Sequence, residues 1–109
     1  MRRQIKYYKN YFKDFFEALD TGVRDKVVYV LRYIQQSERW NAKFVKYLKD
    51  ELFEMRIEYQ SNIYRVFFIL DGRNIVVLFN GFQKKTQKTP TNEIEKALRI
   101  KKEYYESKQ

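Results

Sequence analysis

The apolar residues of this chain change their spacing near its middle, and that change determines which elements can follow one another. In residues 11–19 and 23–34 the apolar side chains recur at helical intervals. Residues 52–59, 63–70 and 75–79 are instead rich in β-branched and aromatic types and are separated by turn signals. The pattern therefore predicts helices first and then three consecutive strands linked by hairpins.

The flanking segments complete the predicted order. Residues 5–8 indicate a short first strand, and Gly22 is expected at the C-cap of the first helix, where glycine is common. Residues 40–48 permit a short helix because some of their apolar residues have helical spacing. The run Thr91-Asn92-Glu93, after a proline, indicates the start of a last helix.

These elements predict an α+β fold in which residues 1–109 form a single domain. Its sheet is mainly antiparallel, with about four strands, two N-terminal helices and a C-terminal helix. We expect the helices on one face of the sheet. The opposite face would then be only partly covered, which would leave a concave surface for a ligand.

The charge balance and two missing residue types narrow the possible functions. The chain has 23 Lys and Arg against 14 Asp and Glu, and a net charge of +9 favours nucleic acid or an acidic protein as partner. The absence of cysteine excludes disulfides, and the absence of histidine removes the commonest general base and metal ligand. We expect no cofactor and no metal. No segment approaches membrane-spanning length, so we expect a cytoplasmic protein without a membrane partner.

Residues 82–90 are dense in cationic and hydroxyl side chains. This segment, Phe-Gln-Lys-Lys-Thr-Gln-Lys-Thr-Pro, contains no acid and is expected to be a loop between the last strand and the last helix. Lysine supplies a point charge and threonine a neutral donor, which together suit a phosphate group. Taken alone, the segment is equally compatible with a basic loop that contacts only solvent.

Two arginines lie within the predicted strands. If side chains alternate along the strand, Arg65 shares a face with Phe67 and must be paired or open to water. One interpretation is an ion pair with Glu54 or Glu58 on the neighbouring strand. The other is a cation on the sheet face that binds a phosphate bidentately; Arg56 is the second such arginine, on the preceding strand. We favour the second, because the basic segment emerges from the adjacent strand.

Such a group of cations suits the cleavage of an RNA strand. A ribose 2′-hydroxyl can attack the neighbouring phosphodiester once its proton is removed and the charge on the phosphate is stabilised. A lysine whose pKa is lowered by nearby cations can act as the base. The same cations would also serve an RNA-binding protein without catalysis, so the residues alone leave both functions open.

Four segments in the second half of the chain resemble one toxin family. They are Phe-Glu-Met-Arg, a strand with Tyr-Arg-Val-Phe, the Phe-x-Lys-Lys-Thr-x-x-Thr-Pro segment and a Glu-Ile-x-x-Ala helix start, in residues 53–56, 62–68, 81–90 and 93–97 respectively. At these separations the combination is similar to the HigB-like branch of the RelE/ParE toxin superfamily. The first half of the chain agrees only in the order of its elements.

The resemblance implies the toxin of a type II toxin–antitoxin pair with a RelE-like microbial RNase fold. Such toxins are compact endoribonucleases (mRNA interferases) that enter the ribosomal A site and cleave mRNA without a metal. The implied partners are mRNA, the ribosome and a cognate antitoxin with an acidic toxin-binding surface. The antitoxin usually carries a helix-turn-helix domain, through which the pair binds operator DNA.

The resemblance also assigns site residues by position. Four cations would act on the scissile phosphate, with one of the two lysines in proton transfer: Arg56, Arg65, Lys84 and Lys85. Four further residues are expected to contact the RNA: Thr86, Lys88, Thr89 and Asn80. Many relatives have a histidine where this chain has Asn80, so the general acid is unassigned.

Two other functions remain open from the sequence. ParE-like toxins share the scaffold and poison gyrase by binding protein. A catalytically inactive module that binds RNA or the ribosome could present the same surface. The dense cationic segment before the last helix favours the endoribonuclease.

Overall fold

The computed structural model describes residues 2–85 and 88–109, which form one five-stranded sheet with helices on both faces. The elements follow in the order β1 (Gln4–Tyr7), α1 (Tyr11–Glu17), α2 (Thr21–Gln36), β2 (Val45–Lys49), β3 (Leu52–Tyr59), β4 (Asn62–Asp71), β5 (Ile75–Lys84) and α3 (Thr91–Ser107). The strands lie in the order β1-β5-β4-β3-β2, with β1 parallel to β5 and the other neighbours antiparallel. The predicted α+β class is confirmed, with one more strand than expected.

The additional strand is β2, so the short helix permitted over residues 40–48 is wrong: residues 42–44 form a turn and the strand begins at Val45. The strand pairs with β3 through Val45 opposite Met55, and Val45 is buried. Asp50 and Glu51 connect the two strands with φ of 49° and 63°, as a tight hairpin turn requires. The apolar residues of this segment fit both helical and strand spacing, and pairing with β3 decides for the strand.

Helices cover both faces of the sheet, which corrects the expectation that they share one face. The apolar side of α2, represented by Val27 and Val30, packs in one buried cluster with Val66. On the opposite face, α3 packs in a second cluster with Phe67 and Val77. Because β4 and β5 are apolar on both sides, each face needs a cover to remove it from water.

Gly22 lies in the first turn of α2, so the prediction that it caps the first helix is wrong. The C-cap of α1 is Ala18, whose φ is −81°. A Cβ atom on Gly22 would lie 2.3 Å from the Tyr59 hydroxyl oxygen. Glycine therefore lets α2 approach the end of β3 closely without displacing the Tyr59 ring, and no left-handed backbone is involved.

The basic segment begins inside the sheet. Strand β5 continues through Phe82 and Gln83 to Lys84, so the loop expected over residues 82–90 starts only at Lys85. The predicted last helix is confirmed and begins at Thr91. The cation that ends β5 is consequently held by strand pairing, while Lys85 follows it on an exposed connection.

One polar contact fixes the end of α3 to the sheet and gives a testable contribution to stability. The buried Tyr104 hydroxyl donates to Asp71 Oδ2 at 2.5 Å, and Lys108 also pairs with this carboxylate. Hydrogen bonds from Lys108 and Tyr104 lower the pKa of Asp71. A carboxyl whose folded pKa is lowered adds stability above its unfolded pKa and loses it as the pH falls through the folded pKa.

We expect Tyr104→Phe to lower the free energy of unfolding at pH 7 by about 1 kcal/mol, since one hydrogen bond to a partly solvated carboxylate is lost. The difference from wild type should shrink as the pH falls through the lowered pKa of Asp71. Urea unfolding at pH 7 and in acid measures both effects. The control is Tyr105→Phe, because Tyr105 is 37% exposed; equal losses in both variants would contradict the assignment.

Candidate nucleic-acid interface

The predicted cations of the strands lie on one face of the sheet. Arg56 on β3 pairs with Arg65 on β4, and Lys84 on β5 lies opposite Ile63, two residues away from Arg65. Residues of β4 alternate as expected, because Phe67 is buried on the α3 side. The cations therefore share the α3 face, next to the N-terminal end of that helix.

A single buried carboxylate organises these cations. Glu54 is 1% exposed, and its Oε1 lies 3.3 Å from Arg65 Nε and 3.8 Å from Arg56 Nε. Its other oxygen, Oε2, accepts a hydrogen bond of 2.8 Å from the Thr89 hydroxyl. Glu54 thus joins β3, β4 and the segment before α3.

Arg65 forms the ion pair with Glu54 that the first interpretation expected, while the binding of phosphate by Arg65 stays a prediction. Arg65 is only 3% exposed, and its Nη1 donates to the Tyr64 carbonyl oxygen at 3.1 Å. Burial lowers the pKa of Arg65, while the charge of Glu54 opposes that shift. A charge so far from water is retained because its partner lies beside it.

Arg56 is the more open of the two arginines. Its side chain is 32% exposed, and its Nη1 donates to the Ala42 carbonyl oxygen at 3.2 Å. The guanidinium is therefore held in place by a backbone acceptor and by Glu54 while part of it meets solvent. Such an arrangement leaves donors available to an anion without requiring the side chain to be ordered on binding.

Lys84 has the electrostatic surroundings that proton transfer requires. Burial and then the charge of Arg65 lower the pKa of Lys84, Glu54 raises it, and Arg56 and Lys46 lower it further. A lowered pKa increases the fraction of neutral amine near pH 7. We name Lys46, Arg56, Arg65 and Lys84, arranged around Glu54, the cationic cluster.

Lys46 is a member that sequence reasoning missed. It lies opposite Glu54 in the pairing of β2 with β3. Because the spacing of residues 40–48 permitted a short helix, this lysine was not predicted to lie on the sheet. The alternation of Val45, Lys46 and Tyr47 before two turn residues was the only available signal.

The other predicted site residues have different surroundings. Asn80 is 2% exposed, and its amide donates to the Glu93 carbonyl at 3.4 Å and to a carboxylate oxygen of Glu93 at 3.3 Å, so its side chain lies beneath the start of α3. The Thr89 hydroxyl donates to Glu54 rather than facing solvent. Lys85 and Lys88 are exposed on the segment after β5. Thr86 lies outside the described residues.

The structure thus brings together three of the four predicted catalytic cations, and Thr89 joins them through Glu54. Lys85 follows Lys84 at the edge of this group. Within residues 2–85 and 88–109, no group of three or more Asp and Glu side chains could hold a metal ion. In the same ranges, no helix is long and apolar enough to cross a bilayer.

Comparison with known proteins supplies one assignment. The family model described as Phage derived protein Gp49-like (DUF891) matches residues 14–102, which include every element from α2 to β5 and most of α1 and α3. The curated proteins contain no match. The chain therefore belongs to the phage-derived Gp49-like family, a toxin-like family of the RelE/Gp49 type.

Proposed function

We propose that this chain is a HigB-like toxin of a type II toxin–antitoxin pair and that it cleaves mRNA on the ribosome. The observation that carries this proposal is the cationic cluster, in which four cations, one of them partly exposed Arg56, lie around one buried carboxylate. Membership of a toxin-like family supports it.

The proposed reaction is attack of a ribose 2′-hydroxyl on the adjacent phosphorus. The bond from O2′ to phosphorus forms and the bond from phosphorus to O5′ breaks, which leaves a cyclic phosphate and a free 5′-hydroxyl. The neutral amine of Lys84 takes the proton from the 2′-hydroxyl as general base. Its lowered pKa supports this role over that of an ordinary surface lysine.

Arg56 would stabilise the charge that develops on the phosphate oxygens. It is partly open to solvent and is held by a hydrogen bond to the Ala42 carbonyl and an ion pair with Glu54, as a preorganised donor should be. Arg65 is too deeply buried for an open contact and would act through the Glu54 carboxylate that it shares with Arg56. The leaving 5′ oxygen must also receive a proton. Our candidate for its donor is the exposed ammonium of Lys85, the residue that follows Lys84.

The partners follow from the same proposal. The cognate antitoxin would offer an acidic surface to a chain with a net charge of +9 and would carry the helix-turn-helix that binds operator DNA. Complementary charge steers association and would let the antitoxin compete with mRNA for this toxin. We propose that both act in the cytoplasm.

The test is induction of the chain in cells with and without the neighbouring gene, with mRNA 5′ ends mapped in each case. We expect growth arrest and new 5′ ends inside translated frames, both prevented by the neighbouring gene. Cells that express a Lys84→Met chain should show neither. The matched control is Lys49→Met, which removes an exposed lysine of β2 and should remain toxic.

Two results would replace the proposal with one of its alternatives. DNA breaks with SOS induction and intact mRNA would indicate a ParE-like gyrase poison. Growth arrest with intact mRNA and unbroken DNA would indicate a module that binds RNA or the ribosome without cutting.

A further inference from the structure

A cavity lined by cations, the β3-edge cavity, lies at the outer edge of β3. Pairing of β2 with β3 ends at Val45 opposite Met55, so the rest of β3 lacks a β2 neighbour on that side. The cavity there has a volume of about 170 Å³, enough for several water molecules at ~30 Å³ each. Its lining contains four cations, one acid and one aromatic ring: Lys26, Lys43, Arg56, Arg65, Glu58 and Phe44.

The charges of this lining are not balanced. Arg56 and Arg65 are paired with Glu54. Among the described residues, neither Lys26 nor Lys43 lies within ion-pair distance of a carboxylate. Cations gathered in a cavity attract an anion more strongly than the same charges spread over a surface.

Aromatic rings hold the two lysines near the cavity. Lys26 Nζ lies 5.4 Å from the centroid of Tyr29, and Lys43 Nζ lies 5.5 Å from the centroid of Phe44. Cation–π contacts at these distances orient an amine but leave its donors available. The lysines come from α2 and from the turn before β2, so the fold places them together although they are distant in sequence.

We propose that the β3-edge cavity binds a backbone phosphate of the RNA next to the scissile one. The partly exposed Arg56 belongs both to the cationic cluster and to this lining, so one polyanionic strand can contact the two places in succession. This inference rests on the proposed function and adds Lys26 and Lys43 as RNA-binding residues. They would position the strand without touching the reacting atoms.

The experiment measures the salt dependence of binding to a single-stranded RNA whose riboses are 2′-O-methylated, which prevents cleavage. Loss of one phosphate contact is expected to reduce the slope of log affinity against log salt by about 0.7. We expect this reduction for Lys26→Ala combined with Lys43→Ala. Alanine preserves the helix at Lys26, and thermal unfolding checks that this double variant folds.

Two matched variants separate a site from a general effect of charge. Arg32→Ala combined with Lys49→Ala removes the same number of charges from exposed positions outside the lining and should keep the wild-type slope. Lys26→Arg combined with Lys43→Arg keeps the charges and should also keep it. Equal slopes for the cavity variant and the Arg32/Lys49 control would overturn the inference.

The outcome distinguishes this inference from the proposed function. If the cavity variant keeps the wild-type slope while Lys84→Met still abolishes mRNA cleavage, the cavity does not bind RNA and the proposed function stands. If the wild-type chain does not bind the RNA, the inference is overturned, while the mapping of mRNA 5′ ends still decides the proposed function separately.

Discussion

Replacing Arg65 with Met is expected to lower the free energy of unfolding by about 3 kcal/mol, the low end of the range for breaking a buried ion pair. Glu54 is 1% exposed, and the variant removes the cation 3.3 Å from its Oε1. The loss should not be larger, because Thr89 still donates to Glu54 and Arg56 still lies 3.8 Å away. Urea unfolding at neutral pH measures it.

A double variant tests whether the cost comes from the unpaired charge. Removing both partners, as Glu54→Leu with Arg65→Met, should restore most of the lost stability, since an apolar pair of similar volume is often neutral. Arg32→Met on the exposed side of α2 is the control and should stay within about 0.5 kcal/mol of wild type. If Arg65→Met also lowers the free energy of unfolding by no more than about 0.5 kcal/mol, the pairing of Arg65 with Glu54 is contradicted.

The expected loss of stability limits the use of Arg65 variants as tests of catalysis. The sequence alone suggests Arg65→Ala as a clean test of catalysis, in which toxicity is lost and the fold is kept. Because Arg65 is 3% exposed and paired, loss of toxicity in that variant would report instability as well as chemistry. Lys84 offers the cleaner test.

Lys84→Met is expected to reduce mRNA cleavage at least 100-fold in a translation reaction, the lower bound for loss of a general base. Stability should equal or exceed that of wild type at neutral pH. Burial and neighbouring cations lower the pKa of Lys84. Its charged form therefore destabilises the folded state at pH values below that lowered pKa. The destabilisation disappears as the pH rises towards 10.5, the ordinary pKa of lysine.

Lys84→Arg separates charge from proton transfer. It keeps a cation at the end of β5 but cannot supply a neutral amine, so cleavage should be lost while RNA binding remains. Cleavage by wild type should increase with pH and level off below pH 10.5, where the neutral amine predominates. If Lys85→Met abolishes cleavage and Lys84→Met does not, the base is Lys85.

The order of helices and strands could be predicted because periodicity is a local property. The helices showed a 3.6-residue repeat, and the strands were rich in β-branched and aromatic residues between turn signals. The side-chain alternation expected of any strand then correctly placed Arg65 on one face with Phe67. The segment before β3 failed because its few apolar residues fit both repeats. Only hydrogen bonding with β3 made this segment a strand. The position of Lys46 on the sheet was therefore not predicted either.

The candidate site was predictable in part for the same reason. The residue types of Arg56, Arg65 and Lys84 already suggested an anion site, and their strands gave them a common face. Burial was not predictable, because it depends on which elements pack above a residue. Asn80, expected at the RNA, lies instead under the start of α3.

The sequence by itself determined the α+β class, the excess of cations and the kinds of chemistry open to a chain without histidine or cysteine. These follow from composition and local spacing, which need no knowledge of contacts. Only the tertiary structure decided that Glu54 would hold two arginines, that Lys84 would have a lowered pKa and that Lys26 would line a cavity with Lys43. Each depends on side chains from different elements meeting in space, where the neighbours of a charge set its strength.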